Sequence, residues 1–119
     1  MYPKDFVAGL KTTVIDENIS IYKDIFFNTP IETATDEYWK RALSLFKSLP
    51  IEQQDAFFEI VRQAMVDTTS NILGIIDGVS TIDGAHDEFS LTYGEDHKTL
   101  TGDLQSLFLA EKKGDGFIS

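Results

Sequence analysis

The sequence predicts an α+β fold that is predominantly helical, with four or five helices, a small antiparallel sheet of two or three strands near 79–101, and a C-terminal helix. Three observations support this prediction. Apolar residues recur at steps of three and four over most of the first 78 positions, as on one face of an α-helix. After Gly78 the pattern changes to short β-branched and aromatic runs separated by turn-forming residues. A final apolar segment with helical spacing then follows Thr101.

The longest periodic stretch, residues 50–77, organises the chain. Pro50 suits the first turn of a helix, where its missing N–H is not needed, and Gly78 can adopt the left-handed conformation that ends one. The pattern predicts one helix of roughly 42 Å. The face that we expect this helix to bury consists of apolar and small residues: Phe57, Val61, Ala64, Met65, Thr68, Ile72, Ile75 and Ile76.

Two further helical regions precede this stretch. Residues 3–28 predict either one helix or two helices with a corner near Asp16, because a short polar run begins there. Residues 35–48 predict the next helix, with Thr35 or Thr33 as its N-cap. Its apolar residues follow each other at steps of four, three and three: Trp39, Leu43, Phe46 and Leu49.

The segment 79–101 contains three β-like runs, VSTI, FSLTY and KTLT. Phe89, Leu91 and Tyr93 alternate with polar residues, which predicts a half-buried strand in a hairpin or a three-stranded meander. The C-terminal helix is expected to begin at 101–103 and to end at Gly114 and Gly116, with Leu104, Leu107 and Phe108 on its apolar face.

Length and composition limit the class of protein. The 119 residues suffice for one globular domain, 1–119, and the 42% of hydrophobic residues can form a real core. The absence of cysteine excludes disulfide and thiolate chemistry. The N-terminal residues do not resemble a signal peptide, and no window approaches about 18 uninterrupted apolar residues. A cytoplasmic protein is therefore expected.

The net charge of −10 is unevenly distributed. Residues 71–103 carry seven carboxylates against Lys98 alone, whereas residues 1–70 are at net −4. This charge disfavours nucleic acid and anionic membranes as partners and favours a basic protein. The candidate partner-binding residues are exposed carboxylates in the predicted turns: Asp83, Asp87, Glu88, Glu95 and Asp96.

The sequence offers little for catalysis or metal binding. His86 and His97 are its only histidines, and both are expected to be solvated loop residues. A weaker alternative is a divalent-cation site built from five residues: Asp77, Asp83, His86, Asp87 and Glu88. Their spacing does not match an EF-hand, which requires oxygen ligands at its third and fifth positions. We therefore expect no catalytic residue, no bound metal and no cofactor.

Three classes of function remain open. The leading interpretation is a non-enzymatic interaction module whose acidic surface binds a basic protein; a bacterial toxin-neutralising immunity protein is one specific version. The second is a small-ligand binder or enzyme with a pocket between helices and sheet. The third is a homo-oligomeric structural protein that uses leftover apolar helix faces.

Overall fold

The computed structural model describes residues 1–113 of the chain, so the predicted helix end at Gly114 and Gly116 lies outside the described residues. The described part confirms a predominantly helical α+β fold with one small antiparallel sheet and a C-terminal helix. Its elements, in chain order, are α1 (Pro3–Leu10), a π-helical segment (Lys11–Asp16), α2 (Glu17–Asn28), a 3-10 turn (Ile31–Thr33), α3 (Glu37–Ser48), α4 (Ile51–Ile76), β1 (Thr92–Tyr93), β2 (Lys98–Thr99) and α5 (Leu104–Lys113).

The first helical region is continuous, so the alternative with a corner near Asp16 is wrong. Asp16 has helical backbone angles, φ −65° and ψ −46°. Val7 and Ile15 are eight residues apart, yet both are fully buried on the same face of this helical region. The π-helical segment between them accounts for this alignment. Two α-helical turns span about 7.2 residues, and a wider π turn absorbs the extra residue.

An aromatic core joins the end of α2 to α3 and the first half of α4. It is formed by Phe26, Leu43, Phe46 and Phe58. The rings of Phe26 and Phe46 have centroids 5.2 Å apart, and those of Phe46 and Phe58 are also 5.2 Å apart. Tilted and edge-on ring pairs of this kind contribute about 0.5–1.5 kcal/mol each beyond the burial of their area. The burial of Leu43 and Phe46 confirms the predicted apolar face of α3.

A second core lies at the other end of α4. Its buried residues come from α1, the π-helical segment, α4, the chain after β2, and α5: Val7, Ile15, Val66, Leu73, Leu100, Leu104 and Phe108. Burying each of the larger of these side chains stabilises the fold by about 1.5–3 kcal/mol. The burial of Leu104 and Phe108 confirms two of the residues expected on the apolar face of the last helix.

The molecule is elongated, with extents of 51 × 33 × 26 Å and a radius of gyration of 17.7 Å. A compact domain of this length has a radius of gyration of about 13–14 Å. The difference follows from α4 and from the helical rod Pro3–Asn28, each about 39 Å long. The two cores therefore lie at different positions along the same pair of long helices.

Helix α4 buries only part of the predicted face: of the predicted residues, Phe57, Met65 and Ile76 are half-buried against the two cores. Its buried residues, here called the inner stripe, are Phe58, Val66, Ser70, Leu73 and Gly74. Ala64 and Thr68 are exposed instead, and Ile72 is 53% exposed. Two residues apart on a helix of 3.6 residues per turn, Val66 and Thr68 point about 160° away from each other.

Small residues of the inner stripe leave room for a side chain of α5. A Cβ atom at Gly74 would lie 2.8 Å from Nε2 of Gln105. That same Nε2 donates to the Ser70 carbonyl oxygen at 3.0 Å. The side chain of Gln105 therefore fits against α4 where Ser70 and Gly74 are small and bonds to its backbone.

The N-cap of α3 is Asp36, so the prediction of Thr35 or Thr33 is wrong. Its Oδ1 accepts from the backbone N–H groups of Tyr38 at 2.7 Å and Trp39 at 3.4 Å. A carboxylate satisfies these free donors and also interacts favourably with the positive end of the helix dipole.

The sheet is a hairpin rather than a meander. Thr92 pairs with Thr99 and Tyr93 with Lys98 in an antiparallel register. The VSTI run forms no strand, and Tyr93 is half exposed, so only part of the expected half-buried strand is present. The backbone N–H of Leu100 donates to the Leu91 carbonyl at 2.7 Å. Since Leu100 is buried in the second core, this bond fixes the hairpin to the helices.

Asp77 joins the end of α4 to the start of α5. Its Oδ1 accepts from the backbone N–H of Gly102, and its Oδ2 from that of Gln105, both at 2.8 Å. The carboxylate thereby satisfies one donor in the first turn of α5, which has no helical partner, and one donor just before that helix. Asp77 thus has a structural role that its place in the sequence did not reveal.

Replacing Asp77 by Ala is expected to lower the free energy of unfolding by about 1–2 kcal/mol, because two backbone N–H donors lose their acceptor. Asp83→Ala is the matched control, since Asp83 is exposed and caps no helix, and its effect should stay within about 0.5 kcal/mol. Urea denaturation followed by circular dichroism measures both. Equal effects of the two substitutions would contradict the capping role.

Candidate functional site

Three of the five candidate carboxylates share one loop. Asp83, Asp87 and Glu88 are all exposed and line an open depression of about 410 Å³ bounded by residues 82–89. The backbone N–H of Glu88 donates to Oδ1 of Asp87 at 2.8 Å. This loop alone lines the depression. It is therefore not the pocket between helices and sheet that a small-ligand binder was expected to have.

The other two candidates, Glu95 and Asp96, lie on the hairpin turn. Both are exposed. The turn is closed by the backbone N–H of His97, which donates to the Gly94 carbonyl at 3.2 Å. Gly94 has φ +85° and His97 has φ 51°, the left-handed angles that a tight hairpin turn requires.

These five carboxylates, Asp83, Asp87, Glu88, Glu95 and Asp96, are called the acidic segment below. Within residues 1–113, none of them takes part in an ion pair, and no hydrogen bond connects the loop group to the turn group. The nearby cation, Lys98, instead places its Nζ 5.0 Å from the ring centroid of Tyr2. The structure therefore presents two adjacent groups along the chain with unneutralised negative charge.

The alternative cation site is not assembled in the part of the chain that the structure describes. Both carboxylate oxygens of Asp77 accept backbone N–H groups. Nowhere in residues 1–113 do three or more His, Asp or Glu side chains converge in a way that could hold a metal ion. His86 and His97 are exposed loop residues, as expected.

A partly buried ion pair connects the π-helical segment to α4. Oδ1 of Asp16 accepts from Nη2 of Arg62 at 2.5 Å, and Oδ2 accepts from Nζ of Lys11 at 3.2 Å. Burial alone would raise the pKa of Asp16, but the hydrogen bonds and charges of Arg62 and Lys11 outweigh it and hold this pKa below its ordinary value. Sequence reasoning missed this contact because 46 positions separate Asp16 from Arg62.

Asp16→Asn is expected to destabilise the protein at pH 7 by about 1 kcal/mol or less, since the carboxylate is partly exposed and therefore screened. Because the pKa of Asp16 is lower in the folded state, its ionised carboxylate stabilises the fold at pH values above the unfolded-state pKa of about 3.9. This stabilisation is lost as the pH falls through the lower, folded-state pKa.

The difference in unfolding free energy between the native chain and Asp16→Asn should therefore be constant from about pH 7 to pH 5 and shrink below about pH 4. Asp55→Asn, at an exposed position of α4, is the control and should show a smaller difference. A difference that persists unchanged to pH 3, or that is absent at pH 7, would contradict the assignment.

The outward side of α4 carries a second surface, which is exposed at Ile60, Ala64, Thr68 and Ile72 and half-buried at Val61 and Ile75. We call it the outer stripe, and its residues are Ile60, Val61, Ala64, Thr68, Ile72 and Ile75. Ile60 is 70% exposed and Ile72 is 53% exposed. Sequence reasoning assigned most of this stripe to the core. The sequence did contain a sign of this outcome: α4 is apolar on two sides, and only one of them can face the π-helical segment and α5.

A groove of about 300 Å³ adjoins the N-terminal end of the outer stripe. It is lined by Phe57, which lies one turn before the stripe, and by residues of α2 and α3: Phe26, Tyr38, Arg41, Ala42 and Leu45. Tyr38 and Leu45 are both more than half exposed. Exposed apolar surfaces of this kind bind the apolar side chains of another protein segment.

No protein-family model, curated protein sequence or solved structure matches the chain. Among the described residues, no helix combines the length and the hydrophobicity needed to cross a membrane. The acidic segment and the outer stripe are the two surfaces of the described residues whose chemistry suggests a function.

Proposed function

We propose that this protein is a non-enzymatic interaction module that binds a basic protein through its acidic segment. The observation that carries the proposal is that five exposed carboxylates, on residues 83–96, have no cationic partner within the described part of the chain. A toxin-neutralising immunity protein of the cytoplasm is one specific form of this proposal. Nucleic acid and anionic membranes are disfavoured as partners, because a surface of this charge repels phosphate groups.

Electrostatics supports the proposal in two ways. Carboxylates without a cationic partner create a negative field, which accelerates the approach of an oppositely charged protein. The charges are also exposed, so salt screens them beyond about 8 Å at physiological ionic strength. Binding through the acidic segment should therefore weaken steeply as salt is added.

Local rigidity supports the proposal for Glu95 and Asp96. Their turn is closed by the paired strands, and the hairpin is fixed to the second core through Leu100. A surface that is ordered before binding avoids part of the entropy loss that a disordered segment would incur. Asp77 strengthens this arrangement, because its carboxylate holds Gly102 just beyond the hairpin.

The proposal predicts that reversing four carboxylates, Asp83→Lys, Asp87→Lys, Glu95→Lys and Asp96→Lys, abolishes capture of basic proteins. The matched control reverses four exposed carboxylates elsewhere: Glu17→Lys, Glu32→Lys, Glu59→Lys and Glu111→Lys. Each reversal adds two charge units, so both variants move from a net charge of −10 to about −2. The comparison thus separates a local site from total charge.

The measurement is a quantitative pull-down from cell extract with the immobilised native chain and both variants, at about 50 mM and about 500 mM salt. The native chain and the control variant should retain the same basic proteins at low salt, and the acidic-segment variant should not. Recovery of the same proteins with all three chains would overturn the proposal. So would recovery of nothing but the protein itself.

A further inference from the structure

The outer stripe of α4 is uncharged in a protein whose net charge is −10. Its six residues extend about 22 Å from Ile60 to Ile75. None of them belongs to the aromatic core or the second core, nor to the half-buried residues that pack against either. We propose that the outer stripe is the contact surface of a symmetric homodimer in which two α4 helices pack antiparallel.

Four of the six side chains in the stripe match each other in size about its centre. A two-fold axis that crosses the outer stripe midway between Ala64 and Thr68 would place Ile60 of one copy opposite Ile72 of the other, and Ala64 opposite Thr68. Small residues then meet at the centre of the crossing, where they permit the close end of the usual 8–10 Å helix separation. Large aliphatic residues meet on both sides of it. An isologous interface requires this match between a surface and itself.

The area needed for a stable dimer also favours the antiparallel arrangement. A specific interface buries about 800 Å² on each partner, which is more than one helix stripe of this length provides. In the antiparallel pair, Ile75 and Val79 of one copy reach the groove beside Phe57 of the other. Val79 is 69% exposed, and the groove has a volume of about 300 Å³. Both ends of the contact are thereby extended.

Charge favours the same orientation. Helix α3, beside the groove, carries Lys40, Arg41 and Lys47 against Glu37, whereas residues 71–103 are strongly acidic. Arg41 lines the groove and takes part in no ion pair within the described residues. Antiparallel packing places the acidic end of each copy towards the basic helix of the other. It also keeps the two acidic ends about 30 Å apart, well beyond the Debye length.

The dimer is tested by sedimentation equilibrium of the full chain over a dilution series from about 500 μM to 1 μM. The apparent mass should approach twice 13.4 kDa at high concentration and fall towards 13.4 kDa on dilution. Ile72→Glu places an unpaired charge in the contact and should weaken association roughly a hundredfold. Ile51→Glu is the control, because Ile51 is on the same helix, is 77% exposed and lies outside the stripe.

Circular dichroism shows whether each variant remains folded, and Ile60→Glu replaces Ile72→Glu if that variant does not. A monomer at every concentration would overturn the proposal, as would equal weakening by the stripe and control variants. Assembly beyond two copies would also overturn it, because an isologous contact closes at the dimer.

Orientation is measured separately with a spin label. The chain has no cysteine, so Glu52→Cys provides a single attachment site near the start of α4. The antiparallel pair separates the two labels by about 40 Å along the helix axis, whereas a parallel pair would bring them within about 20 Å. Pulsed electron resonance distinguishes these distances, and the shorter one would contradict the antiparallel packing.

The dimer contact lies on a different surface from the acidic segment, and each of the two surfaces is tested by its own variants.

Discussion

The inner stripe of α4 is the contact on which the rest of the structure depends. It places Phe58 among the aromatic rings of α2 and α3, and Val66 and Leu73 among the aliphatic residues of α1 and α5. One helix face therefore serves two cores that lie far apart along the molecule. Because α4 is about 39 Å long and is covered on this side only, the protein is elongated and its other side remains exposed.

Much of this fold could be predicted from local signals, and the errors have a common cause. Pro50, Gly78 and the 3.6-residue period fixed the extent of α4, because capping and helical spacing are local properties. Which of its two apolar sides is buried depends on contacts between distant parts of the chain, such as those of Val66 and Leu73 with Leu104 and Phe108 in the second core. Periodicity favours the more hydrophobic face and contains no information on how closely another helix can approach.

In the candidate site, too, local features could be predicted from the sequence and contacts between distant residues could not. Exposure of Asp83, Asp87, Glu88, Glu95 and Asp96 followed from turn-forming neighbours and a local excess of carboxylates. The separate role of Asp77 could not be predicted, since the amides that it caps lie 25 and 28 positions further along the chain. Two chemically distinct surfaces result, one acidic and one apolar. The first suits a charged partner, and the second suits a segment that is itself apolar.

The orientation of α4 is tested most directly by thiol labelling of single-cysteine variants, since the native chain contains no cysteine. Val66→Cys and Thr68→Cys are compared at about 1 μM, a concentration at which the proposed dimer is expected to dissociate. If the inner stripe is the buried face, Thr68→Cys reacts with a thiol reagent at nearly the rate of an unfolded chain. Val66→Cys should then react only after unfolding. Rapid labelling of Val66→Cys together with protection of Thr68→Cys would show that the opposite face is buried and would contradict this structure.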